Sequence, residues 1–206
     1  MCGRFILLTD LAALAREFGF EAPPDFVLPA GERFPGLEVA ALIRDPVLRP
    51  ALFRWGLVPS WARDPAIGRR LFNARSETAA VKPSFRDAFR RRRCVVPADG
   101  FFEWDRSGSR ARPLLYRLRT ERPMALAGLY ERGTTAAGQV PVATCTILTT
   151  GANDLIRPVH DRMPVILDRE GAARWLDPSL TNPSDLQPLL LPCAAGSMKI
   201  SPQLPV

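Results

Sequence analysis

The chain has 206 residues, 47% of them hydrophobic and 24% charged, which fits one globular domain over 1–206 and excludes a disordered or fibrous protein. No apolar run approaches the ~20 residues that span a bilayer, and Met1-Cys2-Gly3-Arg4-Phe5 lacks the layout of a secretory signal, so a cytoplasmic address is expected. Lysine and arginine number 28 against 21 acidic residues, a net charge of +7, which makes a polyanion such as nucleic acid a natural partner without identifying it.

Met1-Cys2-Gly3 opens the chain with a small second residue, so loss of Met1 would leave a cysteine whose α-amine and thiol are adjacent. Such an aminothiol condenses with an aldehyde to an imine, and the sulfur then closes a five-membered thiazolidine that resists hydrolysis. Amine and thiol both have reference pKa values of roughly 8, within reach of tuning toward neutrality. Thr9 ahead of Leu11, Leu14, Ala15 and Phe18, with Gly19 as a stop, predicts a helix capped by Thr9. Short apolar runs predict strands at 39–43, 51–55, 94–97, 114–118, 124–130, 142–149 and 164–167. Two more helices are expected, from Ser84 through Arg90-Arg91-Arg92-Arg93 and from Asp168 to Leu176, with the arginine run as a solvated face.

Three further segments could carry chemistry. In Phe72-Asn73-Ala74-Arg75-Ser76-Glu77-Thr78, Asn73 can donate and accept while Arg75 can fork onto a phosphate. In Pro97-Ala98-Asp99-Gly100-Phe101-Phe102-Glu103-Trp104, a turn leads into a strand that sets Glu103 beside aromatic surface, where a raised pKa suits acid–base work. Val159-His160-Asp161-Arg162-Met163-Pro164 holds the only histidine, on a loop before a strand, with Gly151-Ala152-Asn153 upstream. Taken singly, each segment is equally read as structural: Cys2 as a small residue after the initiator, Asn73 as a loop amide, Glu103 as an edge carboxylate, His160 as a packed imidazole. Cys94, Cys145 and Cys193 complete the cysteines; with no C-x-x-C pair, neither a zinc site nor a disulfide framework is indicated, and the first two read as buried thiols. No metal or organic cofactor is expected.

The ordered set MCGRF, FRWGLVPSWA, FNARSET, RRCVVPADGFFEW, MALAGLYE, TILTTGAN and VHDRMPVIL resembles the SRAP family, the SOS-response-associated peptidases, from Met1 to about Leu167. The resemblance implies an α+β fold, a single compact domain with mixed, mostly antiparallel sheets in a barrel-like core and flanking helices. It also implies covalent capture of abasic sites in single-stranded DNA, with Cys2 as nucleophile, Asn73 as the sensing amide, and Glu103 and His160 as catalytic groups. Weak AP-lyase and self-directed Met1 peptidase activities accompany it, as does a monomer associated with the nucleoid on damaged DNA. Arg4, Arg75 and Arg162 lie beside these residues in the motifs and are the expected phosphate contacts, with Trp55, Trp61 and Trp104 as candidates for base stacking and core packing the expectation for at least two of the three.

Two segments depart from the family. Phe26-Val27-Leu28-Pro29-Ala30 stands where members carry Tyr/Phe-Asn-x-Ala-Pro, and Lys199-Ile200-Ser201-Pro202 stops short of the usual Val-Ser/Thr-x-x-Val-Asn ending. The rival readings are a noncovalent reader of single-stranded or modified DNA and, on the Met-Cys-Gly start alone, an N-terminal-nucleophile amidotransferase.

Overall fold

The computed structural model describes residues 2–134, 138 and 141–202. In chain order these form β1 (Phe5–Leu7), α1 (Leu11–Phe18), β2 (Gly31–Arg33), β3 (Glu38–Arg44) and β4 (Leu48–Trp55). There follow β5 (Asn73–Arg75), α2 (Ser76–Ala79), α3 (Arg86–Arg91), β6 (Arg93–Ala98), β7 (Gly100–Asp105) and β8 (Arg112–Leu118). The last part holds β9 (Met124–Thr134), β10 (Pro141–Gly151), β11 (Arg162–Pro164), β12 (Ile166–Leu167), α4 (Arg169–Trp175), α5 (Pro183–Leu186) and β13 (Met198–Ser201).

The strands make two systems. One is a closed barrel in which β4, β3, β6, β9 and β10 pair in turn and β10 returns to β4. Closure removes the unpaired edges that an open sheet presents. The closing pair is parallel, Thr144 opposite Arg54 and Cys145 opposite Trp55, and the other barrel pairings are antiparallel. Covered on both faces, β3 buries five consecutive residues from Val39 to Ile43, which is why its sequence is a continuous apolar run and not an alternating one. The second system is an antiparallel sheet in the order β13-β8-β7-β1-β2. The expected α+β class, with a mostly antiparallel barrel core, describes the molecule.

Beyond the barrel, β10 runs on and exchanges partners. β5 pairs it in parallel with Asn73 opposite Ile147, and β11 pairs it with Thr150 opposite Met163. One strand thus carries the segments that hold Asn73 and His160. At Gly128, where β9 lies between β6 and β10, a Cβ would sit 2.9 Å from both the Cys94 sulfur and the Thr146 carbonyl oxygen. Gly128→Ala is therefore expected to destabilise by about 1–3 kcal/mol through overpacking, seen as a lowered melting temperature; an unchanged value would show that the barrel gives way locally.

Several expectations are corrected by the packing. The cap of α1 is Asp10, whose carboxylate accepts the Ala13 N–H at 2.7 Å, while Thr9 turns inward to Asp99; Gly19 does end the helix, in the left-handed region at φ 74°. The helix expected from Ser84 begins at Arg86 and has no side-chain cap, and the strand expected at 164–167 is split into β11 and β12, which pair different neighbours. Only Arg90 and Arg91 of the arginine run are solvated. Arg93 is buried and donates to the carbonyls of Phe89, Arg90, Trp175 and Asp177, fastening α3 to the end of α4. Cys94 and Cys145 are buried thiols, as their apolar runs suggested.

Candidate active site

The start of the chain is positioned as a sheet strand. Phe5 lies opposite Phe101 and Ile6 opposite Gly100, and the Phe102 N–H donates to the Arg4 carbonyl at 2.9 Å, so the antiparallel register carries Cys2 toward Glu103. Asp99 pins the other end of β1, its carboxylate accepting from the N–H groups of Leu8 and Thr9 and from the Thr9 hydroxyl. Gly100 is required here because a Cβ would come within 2.7 Å of the Tyr116 carbonyl and the Leu115 side chain. Cys2 itself is fully buried, its sulfur 3.8 Å from the Arg4 carbonyl.

Asn73 and Glu103 stand beside this residue, and His160 lies near Glu103, the three coming from three other parts of the chain. Asn73 on β5 donates from Nδ2 to the Cys2 carbonyl at 2.7 Å, and its buried Oδ1 has no hydrogen-bond partner among the described residues. Glu103 on β7 is 4% exposed. Burial raises its pKa, with the nearby charge of His160 acting against that rise. Burial and the Glu103 charge together push the Cys2 thiol up to about 12. His160 sits at the end of the turn before β11, where its Nδ1 accepts the Arg162 N–H at 2.9 Å. With Nδ1 so engaged, the neutral ring carries its proton on Nε2. Asp161, also 2.9 Å from Nδ1, becomes a partner only when the ring is protonated. Among the described residues no group of three His, Cys, Asp or Glu side chains is placed to hold a metal ion.

The cationic and aromatic candidates divide. Arg162 forks onto Glu77 at 2.6 and 2.9 Å and donates to the Thr149 carbonyl, tying β11 to α2 and β10. Arg4 is paired with both oxygens of Glu32 and lies over the Phe102 ring, 4.1 Å from its centroid. Both arginines are thus already engaged with a carboxylate, whereas Arg75 is exposed. Trp55 does not fit the stacking role expected of it: it is 1% exposed, packed 5.2 Å from the Phe5 ring, with its indole N–H given to the Phe72 carbonyl. Trp61 is half exposed, and so open to a base, while Trp104 is 39% exposed. Glu32, Glu77 and Asp99 went unread in the sequence. Two of them lie inside quoted motifs, but nothing local distinguishes a carboxylate that orders a neighbour from a solvated one.

The Arg162–Glu77 fork lowers the Glu77 pKa, chiefly through the hydrogen bonds from Arg162. A carboxylate with a depressed folded pKa contributes stability above its unfolded pKa, and that contribution is lost as pH falls through the folded value. Arg162→Ala and Glu77→Ala are expected to show a coupling of about 0.5–1 kcal/mol near neutral pH, small because Glu77 is half exposed. The coupling should weaken as pH falls below the unfolded carboxylate pKa of about 4.3 and vanish at acid pH, below the depressed folded value. A double-mutant cycle by denaturant unfolding at both pH values checks it, and additivity at neutral pH would mean the fork contributes nothing.

A closed barrel and a five-stranded sheet meet at a buried second-position cysteine that has an amide and a carboxylate beside it and an imidazole near that carboxylate, which defines a class of barrel-and-sheet protein whose polar cluster is built around the start of the chain. The chain belongs to the SRAP family, the SOS response associated peptidases, whose family model matches residues 1–203. It is 42% identical to the abasic site processing protein YoqW of Bacillus subtilis over 97% of this chain and 90% of that protein. It is also 33% identical to the abasic site processing protein YedK of Escherichia coli, over 85% of this chain and 79% of the relative. A crystal structure of a Bacteroides thetaiotaomicron protein superposes with a TM-score of 0.86 at 27% identity, covering 97% of this chain and 90% of that one.

Proposed function

We propose that this protein processes abasic sites by capturing them covalently in single-stranded DNA through Cys2 after Met1 is removed; Met1 itself lies outside the described residues. The observation that carries the reading is that Asn73 and Glu103 meet at Cys2, with His160 near Glu103. The names of these relatives, abasic site processing proteins, support the abasic-site part of the reading.

The reaction follows from the groups at hand. The sugar of an abasic site opens to an aldehyde, and His160 serves as acid or base on the ring oxygen while the Asn73 amide holds it. The α-amine of Cys2 adds to the aldehyde carbon, giving a carbinolamine that loses one water to form an imine. The Cys2 sulfur then adds to the same carbon, its proton ending on the nitrogen, and the thiazolidine is closed. A thiol held near 12 is almost entirely protonated at rest, so its proton must leave as the C–S bond forms. Glu103, buried and raised, is the group suited to take that proton and return it, and in reverse to reopen the ring. The imine also permits β-elimination, the source of weak lyase activity, and removal of Met1 would be the self-directed peptidase step. The monomer would act in the cytoplasm, on damaged DNA of the nucleoid, and its net charge of +7 favours the DNA backbone.

The test is incubation of the mature protein, its Met1 loss confirmed by intact mass, with single-stranded DNA bearing one abasic site, followed by a denaturing gel. A shifted, heat-resistant band supports the reading. Binding without such a band would favour the noncovalent reader, and glutaminase activity the amidotransferase.

A further inference from the structure

We propose that Asn153 is the positioning residue for His160, and that it sets the spacing between His160 and Glu103 by joining the barrel side of the site to the sheet that carries Glu103. The proposal rests on the role given to His160 above. Asn153 is 7% exposed and opens the turn that ends at His160. Its Oδ1 accepts the N–H groups of Leu155 and Ile156, both at 3.2 Å, as a cap does at the start of a helix. Its carbonyl accepts from Ile156 and Arg157, and the Ile156 carbonyl in turn accepts the His160 N–H at 3.0 Å. The turn is therefore built from Asn153 outward, and His160 sits at its far end.

The other half of the same side chain points away from the turn. Nδ2 donates to the Cys193 carbonyl at 3.0 Å and lies 3.4 Å from the sulfur of Met198, which is fully buried. Met198 begins β13, β13 pairs β8, and β8 pairs β7, on which Glu103 lies. Asn153 is thus a two-sided joint: its oxygen shapes the turn of the histidine, and its nitrogen fixes that turn to the sheet of the glutamate. The segment 193–198, next to the divergent end of the chain, acquires a function through this joint.

Asn153→Asp separates the two halves, because a carboxylate keeps the cap but cannot donate and instead faces a carbonyl oxygen and a sulfur. Displacement of a catalytic group by about 1 Å costs on the order of 10–100-fold, and that loss is expected in the rate of crosslinking at saturating abasic-site DNA, with the half-saturating DNA concentration unchanged. His160 is the only histidine, so its Cε1–H resonance in a 1H–13C spectrum is unambiguous. In the Asp variant it should move, while the rest of the spectrum stays folded. Met198→Leu, which keeps the volume and removes one acceptor, should shift the same resonance less. An Asp variant with a wild-type rate and an unmoved His160 resonance overturns the proposal. If His160→Gln also crosslinks at the wild-type rate, the role of His160 in the reaction fails instead, and the resonance still decides whether Asn153 places it.

Discussion

Replacement of Cys2 by alanine is expected to abolish the heat-resistant DNA adduct altogether. Once its Met1 is removed, as intact mass must confirm, the alanine variant keeps the α-amine and still reaches the imine, but it has no sulfur to close the ring, and the imine hydrolyses during denaturation. Borohydride should therefore rescue a covalent band in Cys2→Ala by reducing the imine to an amine, and that reductant dependence separates lost ring closure from lost binding. The pH dependence of the wild type adds a second readout. With the thiol at about 12, ring closure through thiolate formed by solvent would accelerate about tenfold per pH unit across the neutral range. Proton removal by Glu103 within the site predicts a much flatter profile. An adduct that persists in Cys2→Ala without reductant would sink the assignment of Cys2.

Glu103→Gln should have opposite effects on rate and on stability. Loss of a positioned acid–base group costs about 10²–10⁴-fold, so crosslinking and its reversal should both slow by that order. The stability effect follows from the raised folded pKa, which means that the native state binds the proton more tightly than the unfolded chain. Unfolding stability then falls as pH rises from the unfolded carboxylate pKa, about 4.3, through the folded value, and the penalty is complete above it. Glutamine carries no such penalty. At pH 7 the variant should melt higher than the wild type, each ~1 kcal/mol appearing as about 2–4 °C for a chain of this size. The gap should close toward pH 4. A variant that melts lower at pH 7 would show that the Glu103 charge is held by its neighbours and not strained by burial.

The sequence was most legible where chemistry and local pattern coincide. The buried runs of β3, β6 and β9 announced themselves as unbroken apolar segments, and Asp168 marked the start of α4 by its capping geometry. Cys2, Asn73, Glu103 and His160 could each be named, but only the fold brings the four elements that bear them to one place. β1, β2, β5 and β13 are only three or four residues long, and their pairing depends on strands far away in the chain, so no periodicity identifies them. Side-chain commitments were the least legible part. Whether Arg93 is solvated or clamped, whether Arg162 meets a phosphate or Glu77, and whether Trp55 faces a base or Phe5 are all decided by tertiary neighbours. Asn153 was noticed only as part of a loop; its importance lies in contacts made some 40 residues downstream, at Cys193 and Met198.

The exchange of partners along β10 bears on the order in which the chain is made. Cys2 is synthesised before β10, the turn that ends at His160 and β13. Until β10 is in place the barrel cannot close on β4, β5 has no strand to pair with, and Asn73 is not fixed over the Cys2 carbonyl. The surroundings of Cys2 are thus completed only by residues made after β1, β2 and β7, and a chain cut before β10 would lack the Asn73 contact that the finished fold provides.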